Sequence, residues 1–259
     1  MVLFALGFPA ADVLLQSWEP ISLSAVRIVM SSALLVPIWF FMDGFARMRR
    51  APWGRGLVIG GVGFGTGTLI LLVVQSLTDA VTAALVAATM PVAAVMLEVV
   101  LDGRRLTGAF LLGVVLVLLG GIVASGASLA DSRFGLGALI GICGTFVFAW
   151  ASRAAVKKLP DMSNIGQATI TLVGATGFNL IVWSVFVTFG WVGTKVGVMD
   201  GYGLLMLLIY AFCGLAISQI FWILGVAKLG IGMASFHLNA TTFYVMLIVL
   251  TLGGSWDWM

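Results

Sequence analysis

The chain has 259 residues, 61% of them hydrophobic and only 9% charged, with a mean hydropathy of +1.18 and a formal net charge of +3. Soluble domains carry about 25% charged residues and need a polar exterior, so a soluble enzyme, a nucleic-acid-binding module and a disordered chain are excluded. The composition is that of an integral membrane protein, with the lipid bilayer as its first partner.

A membrane-spanning helix needs roughly 17–25 apolar residues. Cutting the chain at its charged or turn-rich breaks predicts nine such segments, at about 1–17, 20–42, 56–77, 79–101, 106–125, 134–152, 164–190, 201–227 and 229–252. The first, MVLFALGFPAADVLLQ, has no basic region ahead of its apolar run and carries Asp12, so it reads as a helix and not as a signal peptide. The third and fourth are parted only by Ser76, Thr78 and Asp79, the eighth and ninth only by Lys228 and Gly230. None of these runs alternates in hydropathy, and each is about twice the length of a membrane strand, against a β-barrel. The predicted fold class is an all-α, polytopic transmembrane helical bundle.

Basic residues in short loops set orientation. With residue 1 on the cytoplasmic side, the inner loops hold Arg47, Arg49, Arg50, Arg55, Arg104, Arg105, Arg153, Lys157, Lys158 and Lys228; the outer loops hold only Arg133 and Lys195. The two cysteines, Cys143 and Cys213, fall within apolar runs and read as small buried hydrophobes with no disulfide framework. Trp18, Trp53, Trp191, Trp256 and Trp258 fall near segment ends, where interfacial anchoring places them.

Residues 56–103 align without gaps on the stretch beginning at Leu207, at a constant offset of 151. The identities include Leu57/Leu208, Gly63/Gly214 and Ala83/Ala234, and both stretches run long helix, near-absent loop, long helix, glycine turn. A repeat of five helices places its two copies in opposite orientations, as in secondary transporters, and the loop charges swap sides accordingly. The expected units are 1–127 and 134–259. Gly103 leads into the fifth helix, whereas Gly254 leads only to SWDWM, so the alignment predicts a tenth helix where the chain supplies nine.

The start GFPAADVLL, the second segment PISLSAVRIVMSSALLVP, the fourth TDAVTAALVAATMPVAAVML with Pro91, and the run GRRLTGAFLLGVVLVLLGG resemble the drug/metabolite transporter superfamily in its EamA-domain branch. The resemblance implies ten helices in two inverted EamA repeats that move small metabolites, often amino acids, outward across the inner membrane. Two departures stand out. Arg104 and Gly254 occupy points where the family often has Gly-Glu, and Thr242 stands where a proline is expected.

Ionisable groups within spans are functional candidates by default. Asp12 and Arg27 lie roughly 8 and 10 Å below the outer ends of adjacent segments, so a pair between them, direct or through water, is predicted. It is either a structural ion pair or a site where Asp12 binds a substrate amine or exchanges protons. Glu98, near Asp102 and Arg104–Arg105, reads as an interfacial group with its carboxylate at the inner surface. His237, the one histidine, shares a face with Thr241 and Tyr244. It reads as an interhelical hydrogen-bonder or, where transport is proton-coupled, as a proton relay; alone it cannot form a metal site. Tyr210, Gly214, Ser218 and Trp222 repeat every four residues, with Gln219 beside them, as a packing stripe or a cavity wall. Phe8, Asp12 and Gln16 repeat that spacing on the first segment.

The substrate-cavity candidates are therefore Phe8, Asp12, Arg27, Tyr210, Ser218, Gln219, Trp222, His237 and Thr241. No catalytic constellation, metal cluster, cofactor motif or phosphate-binding loop is legible, which excludes an enzyme or an ATP-driven pump on this chain. The reading is a secondary active transporter of the inner (plasma) membrane, N-terminus cytoplasmic, exporting amino acids or similar small metabolites by alternating access. The alternative is a non-selective channel or structural subunit.

Overall fold

The computed structural model describes residues 1–103, 107–108, 111–113, 115–116 and 132–251; most of the predicted fifth segment, Trp256 and Trp258 lie outside these. The described chain is helical, with no strand among the described residues. In order the helices are α1 (Val2–Leu15), α2 (Pro20–Asp43), the short α3 (Phe45–Arg50), α4 (Trp53–Leu77), α5 (Ala80–Ala88), α6 (Met90–Asp102), α7 (Ser132–Lys158), α8 (Asn164–Thr188), α9 (Gly201–Phe236) and α10 (Asn239–Thr251). Among the described residues, six helical spans are long and apolar enough to cross a membrane: Pro20–Asp43, Trp53–Leu77, Thr82–Asp102, Leu139–Lys158, Asn164–Thr188 and Gly201–Phe236. Large apolar side chains such as Phe41, Val100, Ile181 and Phe243 stand exposed on the outside. That is the inversion lipid requires, since helices satisfy their own backbone and can present hydrocarbon to the bilayer. The fold is an all-α polytopic bundle.

Local chemistry explains the starts and breaks. Pro20 opens α2, where its missing N–H costs nothing. Ser163 and Asp200 cap α8 and α9 by accepting from the N–H groups of Gly166 and Gly203. Pro91 has no N–H to give, and α5 tightens into three-residue turns before α6: Thr89 N donates to the Val86 carbonyl at 3.1 Å and Val92 N to that of Thr89 at 3.0 Å. At Gly230 the backbone of α9 swings to φ +81°, ψ 160°, where a side chain would be strained. The predicted divide between the eighth and ninth segments falls at this break.

Glu98 corrects one expectation. Its carboxylate is not exposed at a surface; it is buried, and its Oε1 accepts from the Gly232 N–H at 3.0 Å, just past the Gly230 break. The kink exposes backbone donors that a carboxylate can satisfy inside the bundle. The cysteines also differ from expectation: Cys143 is exposed and Cys213 half-buried, small thiols on the lipid side costing little. Trp18 is buried beneath Gly197 of the loop between α8 and α9 and is not an interfacial anchor.

Among the described residues, two helices widen into π turns. Ile59–Gly65 in α4 and Ile209–Ile217 in α9 are π-helical, and shifting the first by 151 residues lands on 210–216, inside the second. Gly63 and Gly214, identical at that offset, sit where neighbours come closest: a Cβ at Gly63 would overlap the Ala151 side chain, and one at Gly214 would lie 2.8 Å from the Gly7 Cα. The π segment of α4 packs between α7 and α8, and that of α9 between α1 and α2. The α4–α8 contact is the tighter, since a Cβ at Gly60 would run into the Thr171 carbonyl and one at Gly174 into that of Leu57.

The helix ends are tied by polar contacts. On one side Glu19 accepts from the N–H groups of Gly193 and Lys195, both at 2.8 Å, strapping the α8–α9 loop to the start of α2. On the other, Asp102 pairs with Arg153 and Lys157, and Asp43 accepts from Trp39 and Ser163.

Candidate functional site

Between α1, α4, α5, α6, α7 and α9 lies a cleft with about 1060 Å³ of free volume, its open mouth included. Phe148, on its wall, lies nine residues from one end of the span Leu139–Lys158 and ten from the other, or about 14 Å at helical rise. The cleft therefore sits at mid-span. A smaller space of about 260 Å³ adjoins it, sharing Phe4, Arg27, Thr68 and Leu71.

The wall is mostly apolar and partly aromatic. Phe64 and Phe148 meet edge to face at 5.0 Å, Phe148 and Trp222 at 6.3 Å, and the Trp222 indole N–H is held by the Ser152 hydroxyl at 2.9 Å. Those contacts lock the ring of Trp222 against α7. Polar groups are few: the hydroxyls of Thr68, Thr145 and Ser218, the amide of Gln219, and the guanidinium of Arg27.

Arg27 reaches the cleft from α2 and is buried. Its Nε donates to the Tyr210 carbonyl at 3.3 Å, Nη1 to the Tyr210 hydroxyl at 3.1 Å and Nη2 to the Gly214 carbonyl at 3.0 Å, while Cζ lies 3.8 Å from the centre of the Tyr210 ring. One turn on, the Ser31 hydroxyl donates to the Ala211 carbonyl at 2.8 Å. The π turn of α9 leaves carbonyls poorly served by their own helix, and α2 answers them with donors four residues apart. Cation–π contact adds to this at a desolvated position.

Asp12 does not pair with Arg27. Its Oδ1 accepts from Gln75 Nε2 at 2.7 Å and its Oδ2 from the Ala80 N–H at 3.0 Å, so the carboxylate ties α1 to the end of α4 and the start of α5. The equal depths inferred from sequence do not produce contact, because each charge finds closer partners: a helix N-terminus for Asp12, opened carbonyls for Arg27.

Of the other predicted residues, Phe8 and Tyr210 line the smaller space, and Ser218, Gln219 and Trp222 the larger. Gly214 of the same stripe serves packing against Gly7. Asp12, His237 and Thr241 line neither space. His237 sits exposed at the turn between α9 and α10, its Nδ1 3.2 Å from the Met233 carbonyl, and Thr241 is fully buried. Sequence reasoning missed Phe4, Thr68, Thr145 and Phe148 as wall residues. The spacing of Gly67–Thr68 and Gly144–Thr145, small residues at the middle of long apolar helices, was the available signal.

Comparison with known proteins bears on what such a cleft in a multi-pass helical bundle serves. Residues 1–126, a little under half of the chain, match the EamA-like transporter family. No curated protein matches the chain. A solved structure described as "Crystal structure of protein" is similar over 99% of this chain and 87% of its own, with a TM-score of 0.76 and 17% identity; it shares the fold. The apolar spans make this chain a multi-pass membrane protein.

Proposed function

We propose that the protein is a secondary active transporter that exports amino acids or similarly small amphipathic metabolites by alternating access. The observation that carries this reading is the mid-span cleft, apolar on most of its wall, with Arg27 and Gln219 as its convergent polar groups. Two units, 1–127 and 134–259, rock against one another about this site. The two π segments at a constant offset support such a pair of inverted units, and weakened ladders at those points let α4 and α9 flex. The asymmetry of basic loops supports a cytoplasmic N-terminus in the inner membrane. His237, outside the cleft, is the residue through which proton coupling would act.

The test is solute flux in proteoliposomes, with and without a proton gradient. Saturable movement of an amino acid or small organic acid, lost in Trp222→Ala, is the expected result. Should no solute from a broad panel cross faster than in empty vesicles, the transporter reading fails.

A further inference from the structure

We propose that the cleft selects a small molecule carrying a carboxylate on a partly apolar body, and discriminates against amines; the inference rests on the transporter reading of the same cleft and narrows its substrates from amino acids to small amphipathic acids without an ammonium group. Arg27 is the one charged side chain among the described residues lining either space, and it has no ion-pair partner among the described residues. Three of a guanidinium's five N–H groups are used on Tyr210 and Gly214. One N–H remains on each Nη nitrogen, the forked arrangement that a carboxylate accepts. Carbonyl dipoles and a phenol ring orient the cation without neutralising it, and a buried charge so placed favours an incoming anion.

The second observation is independent. Gln219 is buried on the same wall, and its Nε2 has no hydrogen-bond partner. An orphaned buried amide donor is costly and points to an acceptor supplied by the ligand. Thr68, Thr145 and Ser218 extend the polar set with hydroxyls. A carboxylate that could hold an ammonium is missing from the described lining; Asp12, the earlier candidate, has both oxygens occupied by Gln75 and Ala80. Phe4, Phe148 and Trp222 suit an apolar or aromatic body.

The experiment uses the full chain in lipid nanodiscs and three matched probes: phenylacetate, 2-phenylethylamine and phenylalanine, with octanoate as a second acid. Radiolabelled phenylacetate is expected to bind saturably, octanoate to displace it, phenylalanine to compete about tenfold less well, and phenylethylamine not at all. Losing one charge-assisted contact costs roughly ten- to a hundredfold, and Arg27→Gln is expected to show that loss. Because Arg27 also holds α9, Gln219→Leu provides a variant expected to fold at least as well as the parent, with acid affinity reduced several-fold. Gln219→Glu is expected to abolish phenylacetate binding and admit phenylethylamine. Failure of both acids to bind, equal competition by the amine, or indifference to both Gln219 variants would overturn the proposal. Flux of a neutral or amine solute unaffected by phenylacetate would sink this inference while leaving the transporter standing. Arg27-dependent acid binding with no flux of any solute would do the reverse.

Discussion

The two π segments meet their neighbours with different chemistry. In α9, Ile209–Ile217 is held by Arg27 and Ser31 of α2, which donate to the carbonyls of Tyr210, Gly214 and Ala211. In α4, Ile59–Gly65 is held by neutral groups: Thr68 donates to the Phe64 carbonyl at 2.6 Å, and Asn179 of α8, which also accepts from Ser24, reaches the Gly65 carbonyl at 3.4 Å. The backbone device is shared, but one copy is clamped by a cation facing a cleft and the other by an amide sealed in the core. A neutral clamp suffices for packing. A charged one costs desolvation and is explained by what the charge meets in the cleft.

That contrast can be broken or sharpened by substitution. Arg27→Met should have the largest effect, stripping donors from two buried carbonyls and a phenol and lowering stability by roughly 3 kcal/mol or more, with transport lost. Thermal unfolding in detergent, alongside flux, measures both. A loss no greater than that of Asn179→Leu would erase the distinction. Gly60→Ala comes next, because its Cβ meets the fixed Thr171 carbonyl; a cost of about 1–3 kcal/mol is expected. Gly225→Ala, with open space around its Cβ, should instead stabilise by about 0.5–1 kcal/mol, and the pair read by the same melt separates close approach from helix propensity. Asn179→Leu should cost about 1–2 kcal/mol through the stranded Ser24 hydroxyl and leave substrate recognition intact, as competition binding would reveal.

The smallest effect concerns pH. The N–H groups of Lys195 and then Gly193 hold the Glu19 carboxyl below the usual glutamate range. A depressed value means that the folded state takes up this proton later than the unfolded chain. The strap is therefore complete above the ordinary glutamate value and is lost as pH falls through the depressed one. Protection factors at Gly193 and Lys195, taken against the intrinsic exchange rate at each pH, should fall on acidification in the parent, while those of Glu19→Gln should be low and independent of pH. Equal pH profiles would remove Glu19 from the account.

Much of the architecture was legible because lipid makes hydrophobic length a structural instruction. Runs of about twenty apolar residues had to become helices, and Pro91 and Gly230 marked real interruptions through a missing N–H and a positive φ. Six of nine cavity candidates line the two spaces, since small, polar and aromatic residues in mid-span seldom face lipid. Asp12, His237 and Thr241 do not line them, for a reason periodicity cannot express: each sits where a local backbone end or break, not the cleft, governs its surroundings.

The sequence by itself determined the class of solvent, the order and approximate limits of the apolar segments and the shortlist of buried polar groups, because these follow from transfer energies and helical rise. Only the tertiary structure decided the partners. Arg27 turned from the neighbouring Asp12 to carbonyls 183 and 187 residues away, and Glu98 from the surface to the Gly232 N–H. Both choices depend on backbone groups freed by a π turn and a glycine kink. Such groups belong to every residue alike and have no letter in the sequence.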